Sequence, residues 1–351
     1  MRVPVPVARP LPVLVAVVLG VGAAVAGINP AAAAAEVDLH PGDSIQTAID
    51  NATPGTTITL DPGTYRQFVV VWKDGITLRG EGGVKRVHIV PPPSGSGPCG
   101  GSFGVCVAKQ SGVVHNVHIT GITVENFGES GVFLFHSAGT RVDNMRLLNN
   151  GGYGAFALQS TGTRITESVA VGNHEAGFYV GESPDANATV SDNDAHGNGF
   201  GVFFRDSRGA HISDNSLKDN CVGVVVLNTG FLPGAGNATL SDNTINHNDA
   251  ACPPTEGPPT SGIGVVILGS DHVTVRDNTI DNNNAGGNPT LASGGVILLP
   301  GVDQNATPSN HVTVTDNHIR HNATDIIVGV PLATNVFDDN ECGTSSPGGL
   351  C

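Results

Sequence analysis

The chain has 351 residues, of which 48 are glycine, 13% are charged and 5% are aromatic, a composition suited to many tight turns and short buried strands. Its 31 Asp and Glu against 16 Lys and Arg give a formal net charge of −15. That balance argues against a nucleic-acid partner, which needs a positive surface, and no phosphate-binding loop or Gly-x-Ser-x-Gly nucleophile elbow is present.

Residues 1–35 read as a secretory signal peptide. Arg2 and Arg9 precede an apolar run from Leu11 to Ala26, and an alanine-rich stretch with an Ala-x-Ala type exit ends near Ala35. A membrane anchor is the competing reading, but proline interrupts the run and its unbroken part is short. No other segment is of membrane length, so residues 36–351 are expected to be secreted and extracellular with no membrane span. Removing the two arginines takes the charge from −15 to −17. Six cysteines fit an oxidising compartment and fall into neighbouring pairs: Cys99 with Cys106, Cys221 with Cys252, Cys342 with Cys351. The middle pair would staple adjacent repeats and the last would close the tail at 341–351. A zinc site is disfavoured for these cysteines because no Cys-x-x-Cys is present. Five Asn-Ala-Thr sequons begin at Asn51, Asn187, Asn237, Asn305 and Asn322.

Between Gly131 and Gly301 one phrase recurs seven times: a glycine, four mostly apolar residues, then a polar or turn residue. The copies begin at Gly131, Gly154, Gly177, Gly201, Gly223, Gly264 and Gly295, with first intervals of 23, 23, 24 and 22 residues. A fixed period of this size predicts a stacked solenoid that remains one domain. Positions one and three past the glycine are apolar in every copy, from Val132 and Leu134 to Val296 and Leu298. Residues two apart share a strand face, so these columns are expected to form a common core.

A second phrase keeps step: asparagines five apart, such as Asn144 and Asn149, Asn193 and Asn198, Asn215 and Asn220, commonly after a V/I-x-D-N piece. Stacked asparagines can hydrogen-bond from coil to coil, and asparagine tolerates the left-handed backbone of a tight turn. Each repeat therefore reads as three short strands: the glycine strand, the V/I-x-D-N strand and the residues before the next asparagine. Stacking them about 4.8 Å apart gives three long parallel sheets.

The segment DSIQTAIDNATPGTTITLDPGTYRQFVVVWKDGITLRGEGG, from Asp43 to Gly83, resembles the opening region of right-handed parallel β-helix proteins of the pectate-lyase-like superfamily. The later copies are similar to the generic repeats of secreted carbohydrate enzymes and of accessory proteins resembling the nitrous-oxide-reductase maturation factor. The resemblance spans Asp43 to Asn340. It implies an all-β fold, a single right-handed parallel β-helix of about ten coils with three strands each, capped at 43–83 by a short amphipathic helix and a first coil. It does not imply an activity, because this scaffold hosts lyases, hydrolases, epimerases and adhesins. The Arg-x-Pro-x-x-Arg of pectate lyases, the Gly-His-Gly of polygalacturonase-like hydrolases and the Asp-Pro-His-Asp of alginate epimerases are all missing, and the adjacent Asp338 and Asp339 resemble ordinary turn residues.

The resemblance implies a groove on the outer face of one sheet. If that is the glycine sheet, Phe133, Phe156, Tyr179 and Phe203 face outward on four successive coils, as a platform for sugar rings or as a structural ladder. Beside them, five past the glycine, run His136, Gln159, Glu182, Asp206 and Asn228, with Arg205 ahead of Asp206. Gln159 and Asn228 are candidate sugar contacts; Glu182, Asp206, Arg205 and His136 are candidate catalysts. Glu182 and Asp206 occupy equivalent positions about 5 Å apart, so one pKa should rise to give an acid and a base, in the spacing of retaining glycosidases. The pair could instead hold calcium, with Arg205 or His136 taking a proton from a uronic acid. Turn chemistry alone would also favour polar residues in this column. No cofactor is required by the sequence, Ca2+ being the one considered, and no other metal ligands are assigned.

The repeat lengthens to 41 residues after Gly223 and to 31 after Gly264. The extra residues, at 230–236, 250–261, 284–293 and 302–310, would wall the glycine sheet toward its C-terminal half; they include Glu256 and Asp303, with Asp249 at the edge of the second. The expected function is a carbohydrate-active protein, a polysaccharide lyase or glycosidase. The alternative is a non-catalytic scaffold that binds glycans or proteins at the cell surface.

Overall fold

The structure is a computed structural model that describes residues 35–97, 99–252, 258–302 and 307–351. The expected leader up to residue 34, Glu256, Asp303 and the sequon at Asn305 lie outside the described residues. From residue 35 onward the chain forms a right-handed parallel β-helix whose three sheets hold 12, 11 and 11 parallel strands. Each coil visits the sheets in the same order: a glycine strand such as Val132–Phe135, a D-N strand such as Arg141–Asp143, then a third strand such as Arg146–Leu148. The register follows the repeat, pairing Val132 with Ala155, Ala155 with Phe178, Phe178 with Val202, Val202 with Val224, Val224 with Val265 and Val265 with Val296. All seven side chains are buried in one continuous core, as period-two alternation requires.

The N-terminal opening of this core is closed by the short helix Ile45–Asn51. The Ser44 hydroxyl accepts from the Thr47 amide at 3.1 Å, which starts the helix, and Ile45 and Ile49 are fully buried on its inner face. At the other end Cys342 bonds to Cys351; the Cys99–Cys106 and Cys221–Cys252 disulfides also form as the spacing predicts. Among the described residues no helix is long and apolar enough to cross a membrane.

Two asparagine ladders hold the turns, with a shift of one residue from expectation in the early coils. One runs Asn150, Asn173, Asn198, Asn220, Asn248, Asn283 and Asn322; the other runs Asn193, Asn215, Asn243, Asn278, Asn317 and Asn340. Each amide serves the coil before it: Asn215 accepts from the Asn193 backbone N–H at 3.1 Å and donates to the Val190 carbonyl at 2.9 Å. Asn144 and Asn149 are not rungs. They take the left-handed position just ahead, at φ 49° and 52°, where later coils place Asp192, Asp214 and Asp242 in the first case and Gly172, Gly197 and Asp219 in the second. The D-N dipeptide thus divides the labour, one residue for the strained backbone and one for the ladder. The sequon at Asn322 is a rung as well, its amide nitrogen donating to Ile280 and Arg320.

Candidate active-site strip on the glycine sheet

The outer face of the glycine sheet carries the expected aromatic column, with Phe133, Phe156, Tyr179 and Phe203 paired directly across strands. Their rings do not lie open as a flat platform. Successive centroids are 4.9, 4.8 and 5.1 Å apart, the last two edge to face, and Phe133 and Tyr179 are only 9% and 3% exposed. Phe103 stacks on Phe133 at 4.4 Å, and Tyr153 packs against both Phe156 and Tyr179. The rings satisfy one another, as edge-to-face geometry favours.

Further along the same face the column continues as Val225, Val266 and Ile297, and the insertions close over it. Ala250, Cys252 and Ala292 pack on a second apolar cluster that includes these three, with Cys221 inside it and bonded to Cys252. The insertions therefore roof this half of the sheet, where the sequence led us to expect the wall of an open groove.

Beside the aromatic rings, the polar column takes the left-handed turn that leaves each strand, with φ between 46° and 50° at His136, Gln159, Glu182 and Asp206. Three of its side chains form a directed relay. His136 Nε2 donates to Gln159 Oε1 at 2.7 Å, and Gln159 Nε2 donates to Glu182 Oε2 at 3.1 Å. This sets the histidine tautomer with its hydrogen on Nε2, because the glutamine must present its oxygen on that side. His136 also stacks on Phe135 at 4.2 Å.

Asp206 behaves differently from Glu182. It is 2% exposed, its Oδ1 accepts from the Thr229 amide at 2.7 Å, and its Oδ2 accepts from the Thr229 hydroxyl at 2.9 Å and from Arg205 Nε at 3.2 Å. It anchors the turn into the 230–236 insertion with both of its oxygens taken, whereas the Glu182 carboxylate accepts from Gln159. Asn228 is likewise built in, donating to Gly269 and accepting from Gly230.

The arrangement that the sequence reading missed centres on Gly181. Its column reads Phe135, Leu158, Gly181, Arg205, Leu227 across paired strands, and the glycine is the only gap. The Tyr179 ring folds into that gap: a Cβ at residue 181 would lie 2.2 Å from the Tyr179 hydroxyl. This turns the phenol toward Arg205, which pairs with Gly181 on the next strand. Burial raises the Tyr179 pKa well above the ordinary phenol range; Arg205 opposes the shift, while Glu182 and Asp206 add to it. The Tyr179 hydroxyl thus stays protonated at neutral pH. Burial works against the Arg205 charge, yet Tyr179, Asp206 and Glu182 outweigh it and raise its pKa further. The guanidinium is therefore a fixed cation, which removes it as the proton acceptor expected from the sequence. A lone glycine in an otherwise bulky outward column was the available signal.

A second omission is the serine column six past the glycine. Ser160, Ser183 and Ser207 each accept a backbone N–H from the preceding coil, at 3.1, 3.0 and 3.0 Å. It backs the polar strip with a rigid turn and is broken at Thr229, where Asp206 takes over the amide.

The profile of the right-handed beta helix region family matches residues 130–299 and 231–351, which together span well over half of the chain. The chain belongs to that family. No curated protein matches it significantly by sequence. Among solved structures, the β-helix is similar to the A-module of an Azotobacter vinelandii mannuronan C-5 epimerase, with TM-score 0.66 and 19% identity, covering 88% of this chain and 94% of that one. An alginate lyase from a Paenibacillus strain superposes with TM-score 0.59 and 15% identity over 88% of this chain and 99% of that one. The catalytic domain of a GH87 alpha-1,3-glucanase gives TM-score 0.61 and 13% identity over 89% and 65% of the two chains. At these identities the likeness is one of fold.

Proposed function

We propose that this β-helix is a secreted, carbohydrate-active protein that cleaves a uronic-acid-bearing polysaccharide by elimination on the strip from His136 to Arg205. The observation that carries this reading is the Tyr179 phenol, seated over Gly181, hydrogen-bonded to the Arg205 guanidinium and within the field of the Glu182 carboxylate. In this scheme Arg205 pairs with the sugar carboxylate, and this pairing acidifies the adjacent C–H. Glu182 takes that proton, the electron pair forms the C=C bond, and the C–O bond to the leaving sugar breaks as Tyr179 gives its proton to the glycosidic oxygen. Gln159 and His136 contact the chain on the neighbouring coils. Elimination is favoured over a retaining glycosidase because both oxygens of Asp206 are committed to the Thr229 turn and Arg205. Similar folds that act on uronic-acid polymers, an epimerase of mannuronan and a lyase of alginate among them, support the same substrate class.

The non-catalytic scaffold remains the second reading, favoured by rings that pack on one another rather than facing solvent. Incubating residues 36–351 with uronic and neutral polysaccharides separates the two. Products that absorb in the ultraviolet, lost in Tyr179→Phe, support elimination. New reducing ends without that absorbance would indicate hydrolysis, and retained binding with no product would leave the scaffold.

A further inference from the structure

Two coils beyond Asp206, the turn into the D-N sheet gathers a different set of side chains. Asp271 opens the strand Asp271–Arg276 and forms a parallel bridge with Asn310 of the following coil. That register sets His272 beside His311, their rings 4.6 Å apart and 19° from parallel. Asp271 reaches both: Oδ1 lies 2.8 Å from His311 Nδ1, and Oδ2 lies 3.2 Å from His272 Nδ1. Single histidine–carboxylate pairs link coils elsewhere, as His88 does with Glu125 and His321 with Asp281. Here two imidazoles converge on one carboxylate. Among the described residues this is the one group of three His, Cys or acidic side chains whose donor atoms lie within 4.8 Å of one another.

We propose that Asp271, His272 and His311 bind a divalent transition-metal ion of zinc's class and so staple the two coils. Bonds of about 2.0–2.1 Å in a tetrahedral site put ligand atoms about 3.3 Å apart. The 2.8 and 3.2 Å contacts, one to each oxygen of Asp271, are close to that spacing and the three donor atoms lie within 4.8 Å of one another, so small side-chain rotations bring them onto one ion. Two nitrogens and one oxygen suit zinc and disfavour calcium, which takes six to eight oxygens. The side chains of His272 and His311 are 63% and 52% exposed, so solvent can supply a fourth ligand. The ligands sit at the head of a stacked strand and its bridge partner, at φ 53° and 51° in a column held by Asn187, Gly209 and Asn237 in earlier coils. Backbone pairing therefore fixes them before any ion arrives.

The test is calorimetric titration of residues 36–351 with zinc chloride, alongside His311→Ala, His272→Asn and the control His321→Ala. Asparagine keeps the left-handed backbone of its column, so His272→Asn removes a ligand without disturbing the turn. One zinc per chain is expected, with affinity weakened at least about tenfold in both ligand variants and unchanged in His321→Ala. Zinc, and not calcium, should raise the melting temperature of the unaltered protein. Substoichiometric binding, or equal affinity in His272→Asn with its circular dichroism preserved, would overturn the proposal.

Discussion

The outer face of the glycine sheet has two halves built from one repeat. From Phe133 to Phe203 it is lined by aromatic rings that pack on each other and border a solvent-facing polar relay. From Val225 to Ile297 the same column is aliphatic and roofed by insertions, and Ile297 is fully buried. One half leaves a polar strip exposed along the face and the other buries the same face under loops. A solenoid permits this because each coil is fixed mainly by its neighbours, so a local loop can change the use of a face without altering its register.

The largest expected effect tests the roofed half. Ile297→Ala leaves a cavity in the second core and should cost about 3 kcal/mol in denaturant unfolding, with turnover per folded molecule unchanged. A loss below about 1 kcal/mol would mean the roof is loosely packed. Next comes the open half: Tyr179→Phe keeps the ring but removes the donor, and product formation should fall about a hundredfold, equivalent to about 2.7 kcal/mol. Its denaturation midpoint should stay put, which is the mirror image of Ile297→Ala. Gly181→Ala is a finer probe of the same site. Its Cβ occupies the place of the phenol, so the ring must swing aside, and activity should drop about tenfold while the circular dichroism is preserved.

The smallest effect concerns pH. Burial works to raise the Asp143 carboxyl, but hydrogen bonds from His118 and Thr120, with the charges of His118 and Arg141, outweigh it and leave the pKa below 3.8. A depressed folded-state pKa contributes stability that is complete above the unfolded value and is lost as pH falls through the folded one. Unfolding followed below pH 4 should therefore be less pH-dependent in Asp143→Asn than in the unaltered chain. Equal slopes would show that this coil-to-coil pair adds nothing.

Much of the architecture was legible because a 23-residue period admits few solutions. Val132, Ala155 and Phe178 had to align once their glycines did, and the cysteine pairs followed from their nearness in sequence. The ladder shift at Asn144 and Asn149 was harder to see, since the left-handed residue and the rung are neighbours and asparagine suits either role. The roles of Asp206 and Asn228 as turn anchors were invisible, because the repeat says only that a polar residue leaves each strand, and not that these two would bond to Thr229 and Gly269 on the next coil.

By itself, the order of residues determined the coil, its three strands, the inward columns and the families of turn residue, since alternation and period act locally and repeat in every coil. Only the folded chain decided which half of the outer face would be covered, that Tyr179 would fill the space left by Gly181, and that His272 and His311 would meet on Asp271. Those outcomes depend on how particular side chains meet, within a strand at Tyr179 and Gly181 and across insertions elsewhere, and packing, not pattern, selects among them.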